Sequence, residues 1–252
     1  MDFGIAWEPT PMKPLAGKTV LVTGGAKRIG RAIALALAEA GADVAITYRN
    51  SEAEARETLA AAVAVGVRAA AIGMDVRSEA SVAAAVAASA EVLGGIDLLV
   101  NNAAVFESAP LSDITVEQWD RVFETNTRGP FLVARAALPW LRAAEGRIVN
   151  LGSLGGSRAW ATHGHYCASK AALEMLTKTM AKAFAPAVSV NCVAPGWVQM
   201  GEEERLASSF AAKTPMGRNA SPEDVAAAVL FFAMGPRFIT GQTLGVDGGL
   251  GL

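Results

Sequence analysis

Cysteine is almost absent from this chain of 252 residues: Cys167 and Cys192 are the only two, and their spacing forms neither a metal-ligand set nor a disulfide framework. Such sparing use of thiols fits a reducing cytosol, so a cytoplasmic location is expected. Long apolar runs are missing too. Hydrophobic residues make up 52% of the chain, but many are alanine, and Arg68, Asp75 and Glu91 break the apolar stretches before they reach the ~18 residues a membrane helix needs. No membrane partner is expected. Nor is charge of one sign concentrated: the net charge is −2 with basic residues scattered singly, which gives no electrostatic footprint for nucleic acid. No stretch rich in proline, glycine and serine divides the chain, which favours one domain over residues 15–252. Ahead of it, Met1–Pro14 carries Asp2, Glu8 and three prolines, lacks the apolar core of a secretory signal, and reads as an extension.

What the sequence does have is alternation. Lys18–Thr23 is a β-branched run ending at Gly24-Gly25, and Arg31–Ala40 then carries a helical pattern stopped by Gly41. Asp43–Tyr48 predicts a second strand, Glu52–Val65 a helix closed by Gly66, Val67–Met74 a third strand and Glu79–Leu93 a helix closed by Gly94-Gly95. A fourth strand is expected at Ile96–Val100 and a fifth at Arg147–Leu151. Between them Thr115–Leu141 reads as one long helix, opened by a Thr115/Gln118 capping box and interrupted near Gly129-Pro130. His165–Phe184 is the next helix and Val188–Val193 the sixth strand; Ser221-Pro222 caps a helix running to Met234, and Thr243–Val246 is a last short strand. Strands separated by helices of this length imply right-handed crossovers and a Rossmann-like, doubly wound α/β fold with a parallel sheet of about seven strands covered on both faces. Ligands in such sheets bind beyond the carboxyl ends of the strands. The candidate site residues fall at those ends.

Two stretches carry chemistry. In Tyr166-Cys167-Ala168-Ser169-Lys170 a phenol and an ammonium stand four residues apart, so both leave the same face of a helix. Thr23-Gly24-Gly25-Ala26-Lys27-Arg28-Ile29-Gly30 joins the first strand to its helix; its small residues allow backbone to approach a pyrophosphate, and the helix N-terminus offers free N–H groups. The second stretch resembles the T-G-x-x-x-G-x-G turn of the short-chain dehydrogenase/reductase family, with Arg28 in place of the middle glycine. The resemblance runs from about Gly17 to Leu252. Asp75-Val76 is similar to that family's adenine-contacting element, and Asn101-Asn102-Ala103-Ala104 to its N-N-A-G element with Ala104 for glycine. Pro195-Gly196 is similar to its nicotinamide-side turn, and Asn126, Ser153, Tyr166 and Lys170 fall where the family keeps its catalytic residues.

The resemblance implies a nicotinamide-dependent oxidoreductase in which Tyr166 protonates the oxygen or nitrogen of a carbonyl or imine that receives hydride. Ser153 would hydrogen-bond to that atom, Lys170 would tune Tyr166 and hold the ribose, and Asn126 would position a water leading to solvent. It also implies a homotetramer that pairs the helices Thr115–Leu141 and His165–Phe184 across subunits. The residues themselves speak to cofactor choice: where an NAD enzyme ends its second strand in an acid, this chain has Tyr48 followed by Arg49, with Lys27 and Arg28 nearby, a cationic cluster suited to a 2′-phosphate. NADP(H) is expected in preference to NAD(H). Glycines 24, 30 and 196, together with Ile29, Val76, Asn102, Ala103, Ala104 and the backbone at Val198, complete the expected cofactor contacts. Phe106, Ser153, Tyr166 and Trp197 are assigned to the substrate, beside a loop over about 196–215 whose segment Glu202-Glu203-Glu204 is a candidate lid. Phe106 and Arg28 look like pteridine reductases, with Phe106 either stacking on a pterin or packing as pocket wall. Ser153 is instead like 3-oxoacyl-carrier-protein reductases and general carbonyl reductases. A cofactor-binding regulator without turnover is the reading from another class. His163 and His165, without a carboxylate cluster, read as pocket edge, and no metal is expected.

Overall fold

The computed structural model describes residues 13–200 and 209–252. Residues 1–12 of the expected extension, and the acidic segment of the expected lid, lie outside the described residues. Seven strands form one parallel sheet: β1 (Thr19–Val22), β2 (Asp43–Tyr48), β3 (Ala69–Gly73), β4 (Leu98–Asn101), β5 (Arg147–Leu151), β6 (Ser189–Pro195) and β7 (Thr243–Val246). Their order across the sheet is β3-β2-β1-β4-β5-β6-β7. The order reverses between β1 and β4, and a doubly wound sheet opens its ligand crevice at that switch point.

Alternate residues of each central strand feed opposite faces. Val20 and Val22 of β1, Leu98 and Val100 of β4, and Val149 and Leu151 of β5 pack on one side with α1 (Arg28–Glu39), α2 (Glu52–Ala64) and α7 (Pro222–Met234). Leu21, Leu99 and Ile148 pack on the other with α3 (Glu79–Leu93), α5 (Gly129–Ala143) and α6 (Gly164–Phe184). Both faces are thus sealed, as continuous β-branched strands demand. Among the described residues no helix is long and apolar enough to cross a membrane.

The helix starts follow their capping chemistry. Ser221 accepts from the Asp224 N–H while the Asp224 carboxylate takes the Ser221 N–H at 2.8 Å, and Pro222 occupies the first turn. Thr115 and Gln118 form the same reciprocal box at the start of α4 (Val116–Phe123). The long helix expected after Thr115 is not continuous. It passes through a π-helical turn at Glu124–Arg128 before α5 begins, one step upstream of the interruption expected at Gly129-Pro130. Pro130 lacks an N–H to donate, which favours a break in the ladder there. Leu37 of α1 is fully buried between β1 and α7; Leu37→Ala should cost about 2–5 kcal/mol through lost burial and the cavity it leaves, read as a lowered urea midpoint with an unchanged slope.

Candidate active site

The first wall of the site is the β1–α1 turn. Thr23 Oγ1 accepts the N–H groups of Asn102 and Ala103, both at 3.0 Å, and the Asn102 side-chain amide donates back to the carbonyls of Thr23 (2.9 Å) and Gly24 (3.0 Å). These bonds tie the ends of β1 and β4 across the switch point. Gly24 has φ +64°, and a Cβ on Gly30 would collide with the Gly24 carbonyl oxygen, so both positions need glycine. Arg28, standing where the resembled turn has its middle glycine, also takes a left-handed backbone at φ +55°. The α1 N-terminus has no side-chain cap and no acid in its first turn. Its free N–H groups and positive dipole end are therefore available to a phosphate.

The cations expected around a 2′-phosphate are not equivalent. Lys27 pairs with Glu54 at 3.1 Å, whereas Arg28 and Arg49 are exposed and enter no salt bridge among the described residues. Asp75, just beyond β3, is bound to Arg77 at 2.6 Å, and this hydrogen-bonded guanidinium holds its carboxyl down at about 2. Val76 beside it is buried against the backbone of Gly129. Ala103 and Ala104 continue from β4 at the crevice edge.

The second wall is built by β5, the π-turn and α6. Ser153 follows β5 and caps a single 3₁₀ turn, its Oγ accepting from the Gly155 N–H at 3.1 Å. Tyr166 sits in the first turn of α6, and burial pushes its phenol above the ordinary value while the neighbouring Ser153 hydroxyl draws it back down. One turn on, Lys170 is 3% exposed, donates to the Leu151 carbonyl at 2.7 Å, and places Nζ 5.8 Å from the centre of the Tyr166 ring. Burial depresses its ammonium from 10.5 to about 8, with the Cys192 and Glu174 side chains opposing the shift. Asn126 lies in the π-turn, and its side chain is spent on structure: Oδ1 accepts from Val105 N at 2.9 Å, and Nδ2 donates to Val105 O at 3.0 Å and Ser169 Oγ at 3.1 Å. Its backbone carbonyl is what the turn can redirect, because an i→i+5 ladder breaks the regular helical pairing.

Beyond β6, Val198 forms a lone parallel bridge with Ala220, in which Gln199 donates to the Ala220 carbonyl and Ala220 to that of Trp197. Val198's own N–H and C=O stand outside that pairing. Gly196 packs its Cα against Asp247, and its N–H donates to Val246 across the β6–β7 ends. Trp197 stacks on Phe210 at 4.4 Å and makes no ring contact with the Tyr166 cluster. Phe106, by contrast, meets Tyr166 edge to face at 4.8 Å. Of the two histidines, His163 lies at the site edge, but His165 is 0% exposed with both ring nitrogens unpartnered, inside the protein rather than at the pocket rim.

The family model for enoyl-(acyl carrier protein) reductase matches residues 24–251. The chain belongs to the short-chain dehydrogenase/reductase family. Among curated relatives of this family member, the 3-oxoacyl-(acyl-carrier-protein) reductase FabG of Vibrio cholerae is 37% identical over 245 residues, covering 94% of this chain and 98% of that protein. The sorbitol dehydrogenase of Cereibacter sphaeroides is 39% identical over 256 residues, covering 93% and 98%. Among solved structures, a short-chain dehydrogenase from Burkholderia cenocepacia in complex with NADP superposes with a TM-score of 0.90 at 38% identity, over 95% of this chain and all of that one. The protein is thus an oxidoreductase acting between CH–OH and C=O groups.

Several residues at the site escaped sequence reading. Glu174, one turn after Lys170, covers Gly156 so closely that a Cβ there would collide with its Oε1; that oxygen is buried without a hydrogen-bond partner, and burial pushes the carboxyl up. Cys192 sits on the same side, its thiol raised to about 11 by burial and by Glu174. The i, i+4 spacing of Lys170 and Glu174 was a signal available in the sequence. Stability measurements can check both walls. A left-handed backbone costs an ordinary residue about 1–2 kcal/mol, more than the ~0.5–1 kcal/mol of chain entropy that glycine adds, so Arg28→Gly should raise the unfolding free energy by about 0.5–1 kcal/mol in urea. For Lys170, charged in folded and unfolded chains alike below about pH 8, the folded state bears the penalty of the buried charge until the proton leaves. Relative to Lys170→Met, the wild type should therefore gain about 3 kcal/mol of stability, nearly all of it between about pH 8 and 10.5, where the slope approaches ~1.4 kcal/mol per pH unit.

Proposed function

We propose that this enzyme uses NADPH to reduce the carbonyl, or imine, of a small substrate, with Tyr166 as general acid. The observation that carries the reading is the grouping of Tyr166, Ser153 and Lys170 at the carboxyl end of β5, beside the switch point. The uncapped α1 N-terminus, the glycine crowding at residues 24 and 30 and the exposed Arg28 and Arg49, which enter no salt bridge among the described residues, fit a dinucleotide with a 2′-phosphate. The cofactor supplies the hydride. The chain supplies the rest: Ser153 and Tyr166 orient the substrate's heteroatom, Tyr166 gives it a proton, and the charge of Lys170 eases that loss. Asn126, fixed by its three side-chain hydrogen bonds, holds its backbone carbonyl ready for a water that leads protons back to Lys170. Asp75 and Val76 border the adenine, Ile29 and Asn102–Ala104 line the crevice, and Pro195, Gly196 and Val198 stand on the nicotinamide side.

The carbonyl-reducing activity of the 3-oxoacyl reductase from Vibrio cholerae supports the reaction type, and the NADP-bound neighbour supports the cofactor. A cytoplasmic setting accords with two free thiols. Assembly as a homotetramer is supported by large apolar side chains left exposed on the outer helices, Trp119, Phe131, Met175 and Phe231 among them. Tyr166→Phe should keep the fold and cofactor affinity while kcat falls by about a hundredfold or more, the usual range for a lost general acid; an unchanged kcat would remove Tyr166 from this role. A charge-assisted hydrogen bond is worth roughly 1.5–3 kcal/mol, so Arg49→Ala should weaken NADPH about tenfold or more and NADH little. Equal losses in the two measured Kd values would reduce Arg49 to surface charge.

A further inference from the structure

The chain is poor in aromatic residues, 6% in all and only two of them tyrosine. Yet four rings close a circuit at the site: Phe106 stacks on His163 (4.6 Å, 22°), His163 meets Trp160 edge on (5.7 Å, 83°), Trp160 lies parallel to Tyr166 (6.2 Å, 9°) and Tyr166 meets Phe106 edge to face (4.8 Å, 89°). The imidazole in this circuit is held below its ordinary value by burial and by His165, which favours its neutral, apolar form. Cations around it are engaged: Lys170, 5.8 Å from the Tyr166 ring centre, donates to the Leu151 carbonyl, Arg121 forms a two-point pair with Glu107, and Arg158 donates to the Gly251 carbonyl. Phe106 itself remains 55% exposed although one face is stacked on His163. A large apolar ring is thus presented to solvent beside the proton-donating phenol.

We propose that the substrates are ketones bearing a flat aromatic ring on the carbonyl carbon, and that Phe106, backed by His163 and Trp160, is the surface on which that ring packs. This rests on the carbonyl-reductase reading above. Two rings of the circuit meet Tyr166, Phe106 and Trp160, and Phe106 is the more exposed of them, so a carbonyl oxygen within reach of Tyr166 brings its adjoining substituent to Phe106, where offset or edge-to-face packing rewards an aryl group over an alkyl group of equal size. In the reduction the C=O π bond opens as hydride supplied by NADPH forms the new C–H bond, NADP⁺ is released, and the proton of Tyr166 completes the O–H bond. The product is a 1-aryl alcohol.

The test compares acetophenone with cyclohexyl methyl ketone, matched in size but not in flatness, using the full chain with NADPH, and repeats the comparison in Phe106→Leu, which keeps an apolar side chain and removes the π face. The aryl-to-alkyl ratio of kcat/KM should fall about fivefold or more in the variant, through KM for acetophenone, while intrinsic reactivity cancels in the ratio of ratios. Calorimetric titration of both ketones into the enzyme saturated with NADP⁺ should give the same ordering without turnover. A ratio unchanged by Phe106→Leu, or tighter binding of the cyclohexyl compound to the wild type, overturns the proposal while leaving the reductase reading intact. Selective aryl binding with no reduction of either ketone, or dihydrobiopterin reduced in preference to both, would overturn the aryl-ketone assignment; loss of all carbonyl turnover across thioesters, diketones and both ketones would instead sink the reductase reading.

Discussion

The hydroxyl of Thr23 is the contact on which the cofactor side of the site depends. It receives the N–H groups of Asn102 and Ala103 from a segment some 80 positions away in the chain, and Asn102 returns two hydrogen bonds to the carbonyls of Thr23 and Gly24. With both ends of the switch point fixed, the Gly24 carbonyl is pressed against Gly30 and the path of the turn is over-determined. An over-determined turn can hold one residue in a costly conformation. Arg28 is that residue, a cation kept where a relaxed chain would favour glycine.

The catalytic side depends on burial rather than on bracing. The same low-dielectric surroundings push the phenol of Tyr166 up and the ammonium of Lys170 down to about 8, so the lysine yields its proton more readily than the tyrosine does. At neutral pH both are protonated. In the proposed reduction Tyr166 would therefore act as the acid, with the Lys170 cation 5.8 Å from its ring centre. Glu174 and Cys192 adjoin the lysine, and both favour its charged form against the cost of burial.

Much of this was legible in the residues. The strands Asp43–Tyr48, Arg147–Leu151 and Thr243–Val246 match their sequence patterns end to end, each being a short run with β-branched residues and a glycine, asparagine or aspartate within two positions of either end. The caps at Thr115 and Ser221 follow from local hydrogen bonding alone. Tertiary facts were not legible. Nothing local says that Lys27 reaches Glu54 on α2, that Glu174 turns under Gly156, or that His165 points inward while His163, two residues earlier, joins an aromatic circuit. The circuit needs Phe106, from the loop after β4, to meet rings from the segment before α6. Side chains so far apart in sequence meet only through packing.

The π-turn at Glu124–Arg128 has a consequence for how the two helices flanking it divide their duties. Every residue in an α-helix rotates the remainder of the helix by 100°, and a π-turn absorbs one such step. α4 ahead of it lies against α6, while α5 behind it turns Leu132, Val133 and Ala137 towards α3 and the sheet. One rod of chain thus serves two neighbours with differently aimed faces, and the joint between them is the turn that carries Asn126. Because the turn has already taken up one residue's rotation, loss of a single residue here would restore a regular ladder with the faces of α4 and α5 still in register but without the redirected carbonyl at Asn126, whereas one further residue would swing the buried face of α5 by about 100°.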